Sequence, residues 1–187
     1  TKELLRLIPY NPVKAIGLYR RAATKHFSDA GYAALQAAFG YIFHIGHLPL
    51  DWGLIADLTH MAATKERFMF SLPYIGYMRI HGFGVTKNIR FGVQSLTRVL
   101  DEEKRALEEE DRVLFYDITR ALTRVALGYA YEKGYVSGKP DLDSAVAYYE
   151  ESHQYILSHK ANLDEELKGI PIDDEAEERL AAFEQVD

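Results

Sequence analysis

The sequence predicts an all-α solenoid built from antiparallel helix–loop–helix repeats, and three observations carry that prediction. The pattern Gly-Tyr-x-x-x-x-Gly occurs at Gly40-Tyr41…Gly46, Gly76-Tyr77…Gly82 and Gly128-Tyr129…Gly134. A residue suited to capping a helix follows each copy at a similar offset: Asp51, Asn88 and Asp141. Behind the caps, four segments align without gaps: Asn11 to Ala23, Asp51 to Ala63, Asn88 to Leu100 and Asp141 to His153. Self-similarity at such a period marks a repeat architecture, which favours an extended binding surface over catalysis.

Each complete unit starts with a first helix. Phe39 and Phe43, or Leu127 and Tyr131, sit four apart on one of its faces. The glycine after the first of these removes a side chain where a neighbouring helix approaches closely. The second glycine ends the helix in a left-handed conformation. A short loop follows, with Pro49, Gly84-Val85 or Ser137 to Pro140, and then the capped second helix. Small residues recur in the second helices at Ala15, Gly92 and Ala145, and bulky ones at Leu18, Leu58 and Tyr148; Ala22-Ala23 and Ala62-Ala63 close two copies. Alternation of small and large residues is what close helix packing requires.

Equivalent caps are spaced 40, 37 and 53 residues apart, and the long last interval holds a charged insertion near 101–112. Its Glu108 and Arg112 stand in the favourable i, i+4 order, so it extends a neighbouring helix as a solvated face or offers a binding strip. The expected organisation is one solenoid domain over 1–160, with a partial repeat at 1–27 and repeats at about 28–66, 67–107 and 112–160. Residues 161–187 form an acidic tail of 10 acidic and 2 basic residues. Asp173 or Asp174 caps a short helix there with Leu180 and Phe183 on its apolar face. It serves either as a terminal cap on the array or as an acidic arm for a partner.

A 48 % hydrophobic fraction in 187 residues is that of a folded chain. With no cysteine there are no disulfides and no thiolate metal sites. The most apolar run, Ala33 to Ile45, is too short to span a bilayer and contains Gly40 and His44, so no membrane insertion is expected. No secretory signal is visible, and the compartment is left open. The chain starts at Thr1 and its first unit lacks most of a leading helix, so it is expected to be processed or cut from a longer protein. Residues 1–100 hold 12 Lys/Arg and 5 Asp/Glu, net +7; residues 101–187 hold 10 and 23, net -13. Opposite ends of opposite sign point to an acidic partner for the basic half, or to head-to-tail self-association, or simply to a solvated surface with an acidic tail.

Gly76-Tyr-Met-Arg-Ile-His-Gly-Phe-Gly-Val-Thr-Lys-Asn88 resembles the signature of the Sel-one-like repeats, relatives of the tetratricopeptide repeats. Ala126 to Ser152 resembles it as well, through Leu127-Gly128, Tyr131, Gly134, Asp141, Ala145 and Tyr148-Tyr149. The resemblance covers roughly residues 10–155. Arg79 departs from it, standing where the family has an aromatic, and so does Trp52 after the first cap. The resemblance implies a superhelical solenoid whose first helices line a concave groove that binds a partner protein or peptide.

The candidate partner-binding residues are Tyr41, Tyr77, Tyr129, Arg79, Arg20, Arg21 and Lys25. Each tyrosine lies two residues from its helix's apolar pair, about 200° around the axis. The three form either an aromatic row along the groove or the packing between units. Arg79 is expected to pair with Asp101 or Glu102 of the insertion, or to meet a ligand. Arg20, Arg21 and Lys25 form a basic helix end that meets an acidic partner or offsets the helix dipole. No metal or other cofactor is expected: His44 and His47 lack a third ligand, and His60, His81, His153 and His159 are scattered. Gly134 to Pro140 imitates a phosphate loop without its Ser/Thr or glycine spacing, and no hydrolase motif occurs. Lys/Arg do not recur at one repeat position, which argues against nucleic acid. The expected function is a non-enzymatic adaptor or scaffold. A permanent subunit of a larger assembly and a toxin-neutralising immunity protein are the alternatives.

Overall fold

The three capping residues do what their spacing requires. Asp51 Oδ1 accepts the Leu54 N–H at 3.0 Å, Asn88 Oδ1 the Phe91 N–H at 3.1 Å and Asp141 Oδ1 the Ser144 N–H at 3.1 Å. Each bond satisfies an otherwise orphaned donor in the first turn of a helix. The computed structural model describes residues 12–24, 29–42, 49–64, 68–108 and 117–160, and among these there are seven helices and no strand. They are α1 (Pro12–Ala23), α2 (Ala30–Ile42), α3 (Trp52–Thr64), α4 (Phe68–His81), α5 (Ile89–Glu108), α6 (Asp117–Glu132) and α7 (Leu142–Lys160). Asn11, Phe43, Gly46, Lys25, Arg112 and the predicted tail helix lie outside the described residues.

Helices adjacent in sequence pair as hairpins: α2 with α3, α4 with α5, and α6 with α7. Contacts of α1 with α2, α3 with α4 and α4 with α6 join the units into a helical solenoid. One apolar cluster runs through it, from Ile16 and Ala23 through Ile55, Leu58, Tyr74 and Met78 to Leu122, Tyr149 and Ile156. The smallness of Ala33, Ala34, Ala37 and Ala38, all buried, lets α2 sit close to both neighbours.

Glycine does the same work inside a hairpin. A Cβ on Gly92 would stand 2.9 Å from the Gly76 carbonyl oxygen and 2.7 Å from Ile80, and one on Gly76 would meet Leu96 at 2.5 Å. The backbones of α4 and α5 therefore touch where these glycines face each other. α4 also runs through Pro73, which has no N–H to donate inside a helix; Leu72 and Tyr74 on either side are 2 % and 1 % exposed.

The charged insertion continues a helix, since residues 101–108 extend α5. Glu103 is 5 % exposed there and binds Arg124 of α6 at 2.8 Å. Arg124 also donates to Glu151 of α7 at 2.9 Å, and its guanidinium lies 4.7 Å from the Tyr155 ring centroid. Burial pulls the Arg124 guanidinium down, but the Glu103 and Glu151 carboxylates outweigh it and hold it above its ordinary range. This cluster ties α5, α6 and α7 together.

Two expectations fail in detail. Arg79 does not pair with Asp101 or Glu102: its Nη1 donates to the Thr86 carbonyl at 2.8 Å, and Glu102 pairs with Arg105. The reason is length. Asp101 lies twelve residues along α5 from its first residue, about 18 Å from the loop that Arg79 braces. In α1 the aligned packing positions Ala15 and Leu18 are exposed, Leu18 by 54 %, while Leu58 in α3 is only 4 % exposed. The core side of α1 is instead carried by Ile16 and Ala23.

Two consequences are measurable. Arg124→Met takes the nearer cation from the buried Glu103 carboxylate, leaving Arg120 at 4.0 Å, and should cost about 3 kcal/mol in urea unfolding, most of it recovered in Arg124→Met/Glu103→Leu. Asp141 is held below the ordinary aspartate value, first by the Ser144 N–H, then by the Ser144 hydroxyl. A depressed folded value adds stability above the unfolded pKa that disappears as pH falls through the folded one. Thermal unfolding should therefore show wild type losing its advantage over Asp141→Asn as the pH drops from about 3.9 downward, and not between neutral and mildly acidic pH.

Candidate functional site

α3 stands between two clefts. On one side, α1 supplies Gly17, Arg20, Arg21 and Thr24 and α3 supplies Leu54, Asp57, Leu58 and Met61, around a volume of about 480 Å³. On the other, a second cleft of about 480 Å³ is walled by Ala56, Asp57, Thr59, His60 and Ala63 of α3, by Ile75, Met78 and Arg79 of α4, and by Val85 and Phe91. Asp57 reaches both. Cap and turn place these groups: Asp51 starts α3, and Gly82, at φ +84°, ends α4 so that the chain turns back into α5.

Each cleft mixes apolar and charged side chains. Leu54, Leu58 and Met61 line the first together with Arg20, Arg21 and Asp57; Ile75, Met78, Val85 and Phe91 line the second together with Arg79 and Asp57. Phe91 is 42 % exposed, so a large ring lies open at the second cleft's rim. Thr59 is fully buried, and its hydroxyl has no hydrogen-bond partner among the described residues. A mid-helix threonine usually gives this proton to the carbonyl four residues back. With no base on it, Thr59 is not an activated nucleophile, but it can bond a polar group entering the cleft.

Each candidate tyrosine contacts the unit before its own. Tyr41 accepts a 2.8 Å hydrogen bond from Arg20 Nη1 of α1, whose guanidinium lies 5.6 Å from the ring centroid. Tyr77 packs on Trp52 of α3 at 5.8 Å, and Tyr129 stacks on His81 of α4 at 4.7 Å. Tyr41 and Tyr77 are each 7 % exposed, while Tyr129 is half-buried. Further rings make the contact continuous along the loop end: Trp52 stacks on Phe83 at 4.7 Å, Phe83 on His81 at 5.0 Å, and Tyr129 meets Tyr135 edge-on at 6.0 Å.

Arg20, Arg21 and Arg79 are thus brought to the two sides of one helix; Lys25 lies outside the described residues. Thr59 and Phe91 were missed in the sequence because neither matches the residues at its position in the other aligned helices (Tyr19, Leu96 and Tyr149 for Thr59; Lys14, Leu54 and Ser144 for Phe91), and His60 was weighed only as a metal ligand. Among the described residues no group of three or more His, Cys, Asp or Glu could hold a metal, and no helix is long and apolar enough to cross a membrane. His44 and His47 lie outside them. A third cleft, of about 590 Å³, runs along the outer side of α7 and is lined by Ala147, Glu150, Glu151, Gln154, Tyr155 and Ser158.

Comparison with protein families matches the Sel1 repeat at residues 5–26, 74–94 and 119–152. Searches of curated proteins and of solved structures return no match. The second and third segments fall on the α4–α5 and α6–α7 hairpins, loops and caps included, and the first takes in all of α1. The α2–α3 hairpin lies between matched segments yet repeats the same cap and packing. Sel1 repeats are a non-catalytic module that generally mediates protein–protein interaction. The three matched segments, in register with the helical units, are consistent with a Sel1-like repeat protein.

Proposed function

We propose that this chain is an adaptor that holds a segment of another protein against the face centred on α3. The observation that carries the reading is the pair of clefts flanking one helix, each lined by apolar side chains and arginine. A partner with apolar anchors and neighbouring carboxylates suits both, because it buries its anchors while Arg20, Arg21 and Arg79 meet its charge. The rigid array beneath supports the reading. Tyr41 holds Arg20, the Thr86 carbonyl holds Arg79, and Tyr77 and Trp52 fix the start of α3, so little side-chain freedom is lost when the partner docks. Tyr41 and Tyr77 act in this reading from underneath, as positioning residues, and Tyr129 continues the same packing into the next unit.

Quantitative affinity capture from lysate tests it. Arg21→Glu/Phe91→Glu alters one exposed residue in each cleft and should lower recovery of the specific partner about tenfold, with the melting temperature unchanged. Val136→Glu, at an exposed site in the α6–α7 loop, should leave recovery as in wild type. An unchanged partner set with the double variant would contradict the α3 face.

A further inference from the structure

The first and last described helices carry outward stripes of opposite charge. α1 turns Lys14, Leu18 and Arg21 outward at i, i+4 and i+7, opposite Ile16 and Ala23 in the core. Leu18, at 54 %, is the most exposed large hydrophobic side chain among the described residues. α7 presents Asp143, Ala147, Glu150, Gln154 and Leu157 on successive turns, and Leu157 is 46 % exposed. Ala147, Glu150, Gln154 and Tyr155 enclose the cleft of about 590 Å³ on that side. One end thus offers a basic stripe with a protruding leucine, and the other an acidic stripe with a hollow and a leucine beside it.

We propose that these stripes dock on one another between copies, with the α1 stripe of one copy seated in the α7 cleft of the next. Charge selects the occupant. Lys14 and Arg21 meet Asp143 and Glu150 in a head-to-tail contact, whereas pairing two α1 stripes or two α7 stripes opposes like charges. Leu18 enters the hollow between Glu150 and Tyr155, and Leu157 covers its flank, so apolar surface exposed at both ends is buried together. The contact is heterologous: every added copy leaves one stripe of each kind open, and the assembly grows with concentration instead of closing as a dimer. The area is that of one helix face on another, so the association is weak and salt-sensitive.

Sedimentation equilibrium of the full chain tests this. At about 50 mM salt the mean mass should rise without stopping at two chains as concentration goes from about 1 µM to about 1 mM, and should fall back at about 500 mM salt. Leu18→Glu and Glu150→Lys are at exposed sites and should each leave the melting temperature unchanged and the protein monomeric. Mixed together they should stop at a dimer, because each retains one working stripe. A wild type that stays monomeric at the highest concentration, that stops at two chains, or that assembles as before with Leu18→Glu would overturn the proposal.

Discussion

The structure hangs on a backbone-to-backbone contact between successive units. Gly84, in the turn between α4 and α5, lies so close to the start of α3 that a Cβ there would stand 2.1 Å from the Trp52 carbonyl oxygen. Its φ of +66° is one that side chains with a Cβ adopt only with strain. Glycine answers both demands, and the rest follows from the approach it allows. Phe83 stacks on Trp52, His81 stacks on Phe83, and Tyr129 of the next unit stacks on His81. A ring contact is soft and tolerates small shifts, whereas a carbonyl against a Cα does not. The glycine therefore sets the spacing and the aromatic chain fills the gap that remains.

That spacing reaches the surface. The cleft between α3, α4 and α5 has the Gly84–Val85 turn in its wall, so its width is decided where Gly84 meets Trp52. Arg79 donates to Thr86 in the same turn, so one element both closes the hairpin and holds a cation at the cleft. At the other end of the array the corresponding hold is electrostatic: Arg124, Glu103 and Glu151 join three helices through a mostly buried cluster. Sel1 repeats generally mediate protein–protein interaction, and the shape and charge of such an array depend on helices held at fixed separations.

Much of this was legible in the sequence because it depends on local chemistry. Caps at Asp51, Asn88 and Asp141 are fixed by the next three residues, and Gly82 and Gly134 by the handedness of a helix end, so spacing alone locates them. The three tyrosines were recognisable as a recurrent set, but which surface they meet depends on the crossing of helices from different units. Arg79 shows the same limit. Its partner proved to be a carbonyl seven residues away, because α5 carries Asp101 and Glu102 far from it. Leu18 was expected to pack like Leu58, yet alignment of α1 with α3 does not supply a neighbour to cover it. The α3 clefts belong to no single repeat, and Thr59 and Phe91 acquire a role only once α3, α4 and α5 are assembled.

Contact, and not merely backbone conformation, makes Gly84 indispensable. Gly138 offers the comparison: its φ is +84°, but nothing lies within 4 Å of the place where its Cβ would be. Urea unfolding of Gly84→Ala and Gly138→Ala separates the two effects. Strain alone should cost each variant about 1 kcal/mol, and displacement of the Trp52 backbone should cost Gly84→Ala about 2 kcal/mol more. Equal losses in the two variants would contradict the account.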